Sequence, residues 1–352
     1  MGQNMKQERM LHIDLLRIIA CFSVVMLHSS AQYWYGLPLT DKNWLVINTY
    51  DSLVRFGVPV FVMISGALFL SPEKNIDLKR LYRHNILRLA ILYIVWSAIY
   101  GLYDCLFSDQ TVIGFQDVLT EIYSGRYHLW YLPMIIGLYM LLPLFKGWLK
   151  NASRKDVQYF LVLFLLLKVI RYTLLVLKPS DLAGFLLDIF GVGDIVSYPG
   201  YFILGYYMTY YKIDRRWHKW IYAGGFLGAA ANVGLSYYKS LQQGSPNGEV
   251  FDSFSLFTFL IVAALFLFSV EKVSKWSFNT VQRPIINEFS QCTLGIYLMH
   301  LLCMEYLASR GIDSMMLPPI AGVPLCAVLC FFICFFCTAL LRRIPFVGRY
   351  LC

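Results

Sequence analysis

Charge is scarce in this 352-residue sequence: only 14% of its residues are Asp, Glu, Lys or Arg, where soluble domains carry about a quarter. No polar tract is long enough to fold separately, and no repeat, low-complexity segment or long linker is visible. These absences argue against a chain of soluble domains. A paired cysteine pattern is lacking too. Of nine cysteines, Cys21, Cys292, Cys303, Cys326, Cys330, Cys334 and Cys337 fall inside apolar runs, where a thiol behaves as a small hydrophobe. "CAVLCFFICFFC" sets four of them at helical spacing, but no histidine or carboxylate lies beside them in that run, so they read as packing and no metal is expected.

What fills the chain is apolar: 58% of residues are hydrophobic and the mean hydropathy is +0.58. A spanning helix needs about 20 mostly apolar residues. Ten such segments can be drawn, at about 12–35, 52–71, 85–107, 129–149, 157–177, 190–211, 219–238, 253–271, 288–309 and 317–341. The expected fold is an all-α polytopic membrane protein of about ten transmembrane helices, a single domain over 1–352 with no separate soluble domain. The first run is too long for a signal-peptide core, and "SSAQYWYG" puts aromatics where a cleavage site needs small residues. It reads as a retained helix.

Charge alternates between the connections. Lys6 and Arg9 precede the first segment, and clusters such as Lys74, Lys79, Arg80 and Arg83, or Arg342, Arg343 and Arg349, follow the even-numbered ones. The intervening loops are poor in cations and carry Asp41, Asp51, Asp109, Asp117, Glu121, Asp181, Glu249, Asp252 and Asp313. By the positive-inside rule both termini are cytoplasmic. The net charge of +9 is thereby spread over the cytoplasmic turns rather than gathered in one patch, so no nucleic-acid partner is expected.

Ionisable groups inside a span are costly and are functional candidates by default. Arg17 and His28 bound the uncharged run "RIIACFSVVMLH". Eleven helical residues turn about 1100°, within about 20° of three full turns, and rise about 16 Å, so the two share one face at different depths. Asp14, one turn before Arg17, can pair with it. Spacing alone fits a functional pair as well as a structural salt bridge plus a hydrogen-bonded histidine.

The Arg-x10-His helix, followed by "VPVFVMISGALFL" at 58–70, "HLWYLPMIIGLYMLLPLF" at 128–145 and "SQCTLGIYLMH" at 290–300, resembles the integral-membrane acyltransferase family 3 across the whole apolar chain. The family mostly moves acetyl or other acyl groups from acyl-CoA to cell-envelope sugars. The resemblance implies that His28 is the catalytic base and that Arg17 belongs to the acyl-donor site. Imidazole chemistry suits that role, whether it takes a proton from an attacking hydroxyl or carries the acyl group itself.

"LKRLYRHNILRLAILY" sets Arg80, Arg83, His84 and Arg88 within about a 140° arc if the helix is regular. Arginines suit the phosphates of CoA. Arg88 is the deeper candidate, and Arg83 substitutes for the basic residue that the family commonly has where this sequence has Asn85. Ser65 and Gly66 of "FVMISG" allow close approach by either another backbone or the pantetheine arm of the donor. At the start of "HLWYLP", Trp130 and His128 suit a sugar acceptor or an ordinary aromatic belt, with Trp130 favoured. Tyr297 and His300 share a face at the depth of His28, and His300 is either a partner of His28 or a structural histidine. Glu305 lies nearer the outer surface and reads equally as interfacial. Lys168 and Arg171 sit mid-span, where a hydrated cavity would let them hold an anionic donor or a lipid-linked diphosphate.

These readings lead to an O-acyltransferase of the bacterial inner membrane that uses acetyl-CoA or another acyl-CoA as co-substrate. Its acceptor would be an envelope polysaccharide or lipid-linked sugar, reached from within the lipid bilayer. The alternative is a transporter of a small polar substrate such as an amino acid, since similar membrane domains occur fused to racemases and a buried Arg and His also suit a proton-coupled path.

Overall fold

The computed structural model describes residues 10–107, 125–177, 196–345 and 348. Lys6, Arg9, Asp109, Asp117, Glu121, Asp181, Asp194 and Arg349 therefore lie outside the described residues. Among the described residues no strand occurs, and the protein is an all-α polytopic membrane protein. Eight helical stretches are long and apolar enough to cross a membrane. They coincide with every predicted segment except the sixth and seventh.

The first stretch is α1 (Leu11–Ala31). The second differs from expectation. It runs over Lys42–Phe69 and is broken at Arg55 and Phe56 into α2 (Lys42–Val54) and α3 (Gly57–Phe69). Asp51, expected in an outer loop, is instead fully buried in α2 and ion-paired with Arg55 one turn on, at 2.6 Å. An uncharged-run criterion stops at Asp51, whereas a carboxylate neutralised at i,i+4 can enter the bundle.

A π-turn over Leu81–Ile86 leads into α4 (Leu87–Phe107). A 3₁₀ turn, Tyr127–Trp130, leads into α5 (Tyr131–Asn151). Then follow α6 (Arg154–Phe164), a π-turn Leu165–Ile170, and α7 (Arg171–Leu177). Ser153 starts α6 through a reciprocal capping box with Asp156.

The sixth predicted segment is described as α8 (Ser197–Tyr210), its residues 190–195 lying outside the described set. The seventh is α9 (Arg215–Gln243), longer than predicted and patterned inside out. Its Asn232, Ser236 and Ser240 are buried, while Phe226 is 76% exposed. Asn48 and Asn232 donate to the hydroxyls of Ser236 and Thr258, so the amide nitrogens of both buried side chains are paired inside the bundle. That polar inner face lowers the average hydropathy of α9.

The remaining helices are α10 (Leu256–Glu271), α11 (Gln282–Ser309) and α12 (Pro319–Leu341). α1 sits centrally, packed against α2, α3, α11 and α12. One apolar core lies chiefly among α3, α5 and α8, and a second among α1, α11 and α12. The outward faces carry large exposed apolar side chains such as Leu144, Ile320 and Phe336, which lipid accommodates and water does not.

Candidate active site

α1 and α11 run side by side in the same direction, and two sets of contacts tie them. Near their first turns, Arg17 lies 3.7 Å from Asp14 and donates to the Ser290 hydroxyl at 3.3 Å. Ser290 in turn donates to Asp14 at 2.6 Å. A buried carboxylate is thus held by a hydroxyl as well as a guanidinium, and Arg17 is fixed in place.

At the far end of the pair, the ring of His28 lies 5.0 Å from that of His300. His128, from the 3₁₀ turn before α5, completes a cluster of three, 5.2 Å from His300 and 6.5 Å from His28. His300 Nδ1 donates to the Tyr297 carbonyl at 2.6 Å. That bond leaves Nε2 as the acceptor nitrogen, buried and without a hydrogen-bond partner among the described residues. The Tyr127 hydroxyl is 3.5 Å from His28 Nδ1, at the limit of a hydrogen bond.

Between the two ends lies a cavity of about 250 Å³ lined by Arg17, Ser65, Arg88, Tyr131, Ser290 and Tyr297, among others. Arg17, Arg88 and Ser65, which the sequence pattern singles out in three separate helices, therefore face one space. Tyr297 forms its wall toward the histidines: its ring is 5.6 Å from Tyr131, 5.6 Å from His128 and 6.0 Å from His300. Its hydroxyl donates to the His128 carbonyl.

Other candidates fall elsewhere. Arg83 is exposed and does not line the cavity. The π-turn between it and Arg88 adds an extra residue to the turn, so the shared arc expected of a regular helix does not form. Gly66 faces protein, not the cavity: a Cβ there would stand 1.8 Å from the Phe202 carbonyl oxygen. Trp130 is 44% exposed and stacks on Tyr198 at 5.7 Å, whereas His128, ranked below it on sequence, is buried in the histidine cluster. Lys168 and Arg171 do not line the Arg17 cavity. Lys168 sits 4.7 Å over the Phe254 ring.

Two features had no local sequence signal. Arg126, just before "YHLW", bridges Asp104 of α4 at 2.6 Å and also pairs with Glu305 of α11. Glu305 is thus part of an ion-pair network rather than a lone interfacial carboxylate. Cys303 of α11 joins Cys330 and Cys334 of α12, with the three sulfurs within 4.8 Å of one another, and Cys330 donates to the His300 carbonyl at 3.3 Å. Only a contact across two helices reveals that grouping. Arg126→Ala is expected to lower stability by about 1–2 kcal/mol, as two partly exposed ion pairs are lost. Thermal unfolding of the purified variant measures it, and an unchanged midpoint would show that the network does not brace α4 against α11.

A multi-pass bundle with Arg17 half-buried and Arg88 at the mouth of one cavity below a histidine cluster has the form of a membrane protein with a functional site. The chain belongs to the acyltransferase family 3: the family model, described as an acyltransferase domain, matches residues 10–339. It is also similar to YfiQ of Bacillus subtilis (strain 168), named as a membrane-bound acyltransferase, with 27% identity over 150 residues. That match spans 41% of each chain, about two fifths of the relative's length. No solved structure matches the chain. The protein is a multi-pass membrane member of that family.

Proposed function

We propose that the enzyme transfers an acyl group, most simply acetyl, from acyl-CoA to a hydroxyl of an envelope polysaccharide or lipid-linked sugar in a bacterial inner membrane, acting as a single membrane domain. The observation that carries this reading is the cavity shared by Arg17, Arg88 and Ser65, with Tyr297 on its wall 6.0 Å from His300. With both termini cytoplasmic, the Arg17 end faces the cytoplasm, where acyl-CoA is made, and His28 lies in the outer half. At about 250 Å³ the cavity is below the roughly 300–1,000 Å³ of whole-ligand pockets. It suits the acyl-pantetheine arm, with the nucleotide outside it near the exposed Arg88.

His28 accepts the proton of the acceptor hydroxyl as the oxygen bonds to the thioester carbonyl carbon. The carbon–sulfur bond then breaks, and the imidazolium returns the proton to the departing thiolate, so atoms and charge balance. The arm has to bridge about 16 Å of helix axis between Arg17 and His28, passing Tyr297. Arg17 and Arg88 supply charge-assisted hydrogen bonds to the donor.

Arg88→Ala is expected to weaken acetyl-CoA affinity about tenfold, the equivalent of one charged hydrogen bond, and to leave the rate at saturating donor near that of the native enzyme. Equilibrium binding of labelled acetyl-CoA to purified protein tests this. Unchanged affinity would remove Arg88 from the donor site.

A further inference from the structure

The His28 end holds a second group of charged and aromatic side chains that the donor cavity does not use. Arg55 stands at the break between α2 and α3. A Cβ on Gly57 would meet Ser23 and Val24 of α1 at 2.5 and 2.9 Å, so the broken helix abuts α1 one turn below His28, with Arg55 two residues before that contact. The Arg55 guanidinium is also 4.6 Å from the centre of the Phe251 ring. The next residue, Asp252, stands between Phe251, which Arg55 covers, and Phe254, which Lys168 covers at 4.7 Å. From Lys168 the wall continues through Phe254 to Tyr198, whose rings are 4.9 Å apart, and on to Trp130. Trp130 is two residues from His128 in the same turn, so the row runs from the helix break below His28 to the turn that carries His128.

The charges in this wall balance: Arg55 and Lys168 against Asp51 and Asp252. A phosphate would satisfy the cations and repel the carboxylates. A polyol both donates and accepts, and an exposed indole with a phenol beside it offers an apolar face. The Arg55 side is incompletely satisfied, since Asp51 Oδ1 and Arg55 Nε are buried with no hydrogen-bond partner among the described residues. Those two atoms are free to form hydrogen bonds with a polyol. Sequence reading placed Asp252 in an outer loop and reached Trp130 and Lys168 separately; the fold puts all three in one wall with Arg55.

We propose that Arg55, Asp252, Lys168, Tyr198 and Trp130 form the acceptor subsite. It holds a neutral sugar ring, with its hydroxyls on the charged pairs and its apolar face on Trp130, so that one hydroxyl is presented to His28. This rests on the acyltransferase reading above.

The test uses purified full-length protein with radiolabelled acetyl-CoA and an envelope glycan fraction stripped of O-acyl groups by mild base. Asp252→Asn and Lys168→Met are each expected to lower label transfer at limiting glycan at least tenfold. Raising the glycan concentration recovers the rate, and acetyl-CoA affinity stays within severalfold of native. Asp252→Asn is nearly isosteric, so it reports even if the lysine variant folds poorly. Native transfer with an unaltered glycan concentration dependence in Asp252→Asn overturns the subsite alone. Parallel loss of donor affinity in that variant also overturns it, by placing the wall with the donor. Folded native protein that neither binds acetyl-CoA nor labels any glycan overturns the transferase reading itself.

Discussion

His28→Ala should cost the enzyme roughly 10²- to 10⁴-fold in transfer rate, the usual contribution of a positioned general base, while acyl-CoA affinity stays within severalfold of native. The two effects separate because the residues that would hold the donor are elsewhere. Arg17 is locked by Asp14 and Ser290 about 16 Å along the same helix, and Arg88 lies with it on a cavity that His28 does not line. His128 and His300 cannot stand in for the missing ring. Both are buried, at 3% and 0% exposure, whereas His28 is half-buried and within reach of an acceptor. Single-turnover transfer and donor binding, measured on one preparation, check the division of roles. Equal loss in both would assign His28 to donor binding. The same experiment without acceptor separates the two chemistries: hydroxylamine-labile label on native protein but not on His28→Ala, isolated quickly at neutral pH, indicates an acyl-histidine, and its absence indicates direct attack.

The second large effect concerns folding. Gly66→Ala should destabilise the bundle by about 3 kcal/mol or more, at the upper end of overpacking costs. The added carbon would lie 1.8 Å from the carbonyl oxygen and 2.7 Å from the carbonyl carbon of Phe202. The obstacle is backbone, so no side-chain rotation relieves it. The contact is reciprocal, because a Cβ on Gly205 would stand 2.0 Å from the Met63 carbonyl oxygen. α3 and α8 therefore meet through two glycines, the close approach that small residues permit in membranes. Ser65 faces the donor cavity beside this seam, so separating the helices also distorts that wall. Gly137→Ala is the control, since nothing lies within 4 Å of its added carbon. Equal thermal stability of the two variants would contradict the packing account.

Helix periodicity made one line of the site legible. Arg17 and His28 fall on one face of α1, Asp14 pairs with Arg17, and Tyr297 and His300 meet the histidine end from α11. What stayed hidden depended on contacts between distant segments or on departures from regular helix. Asp51 and Asp252 looked like loop charges because charge ends an apolar run, yet Asp51 is buried against Arg55 and Asp252 stands between Phe251 and Phe254, which Arg55 and Lys168 cover. The Arg83–Arg88 arc assumed a regular turn, and a π-turn intervenes. His128 looked weaker than Trp130 because an interfacial turn gives no periodicity from which to judge which ring points inward. Cys303 gains its thiol neighbours only through the packing of α11 on α12.

The central claim is that donor and acceptor meet at His28 from opposite sides of the membrane. The most direct measurement uses proteoliposomes of native protein and His28→Ala, with radiolabelled acetyl-CoA supplied at one face and base-stripped envelope glycan at the other. Native protein is expected to label the glycan across the bilayer, the variant to lose that label, and both to retain acetyl-CoA binding. Uptake of a small polar solute by native protein independently of acyl-CoA, with no labelled glycan, would contradict it and identify a transporter instead.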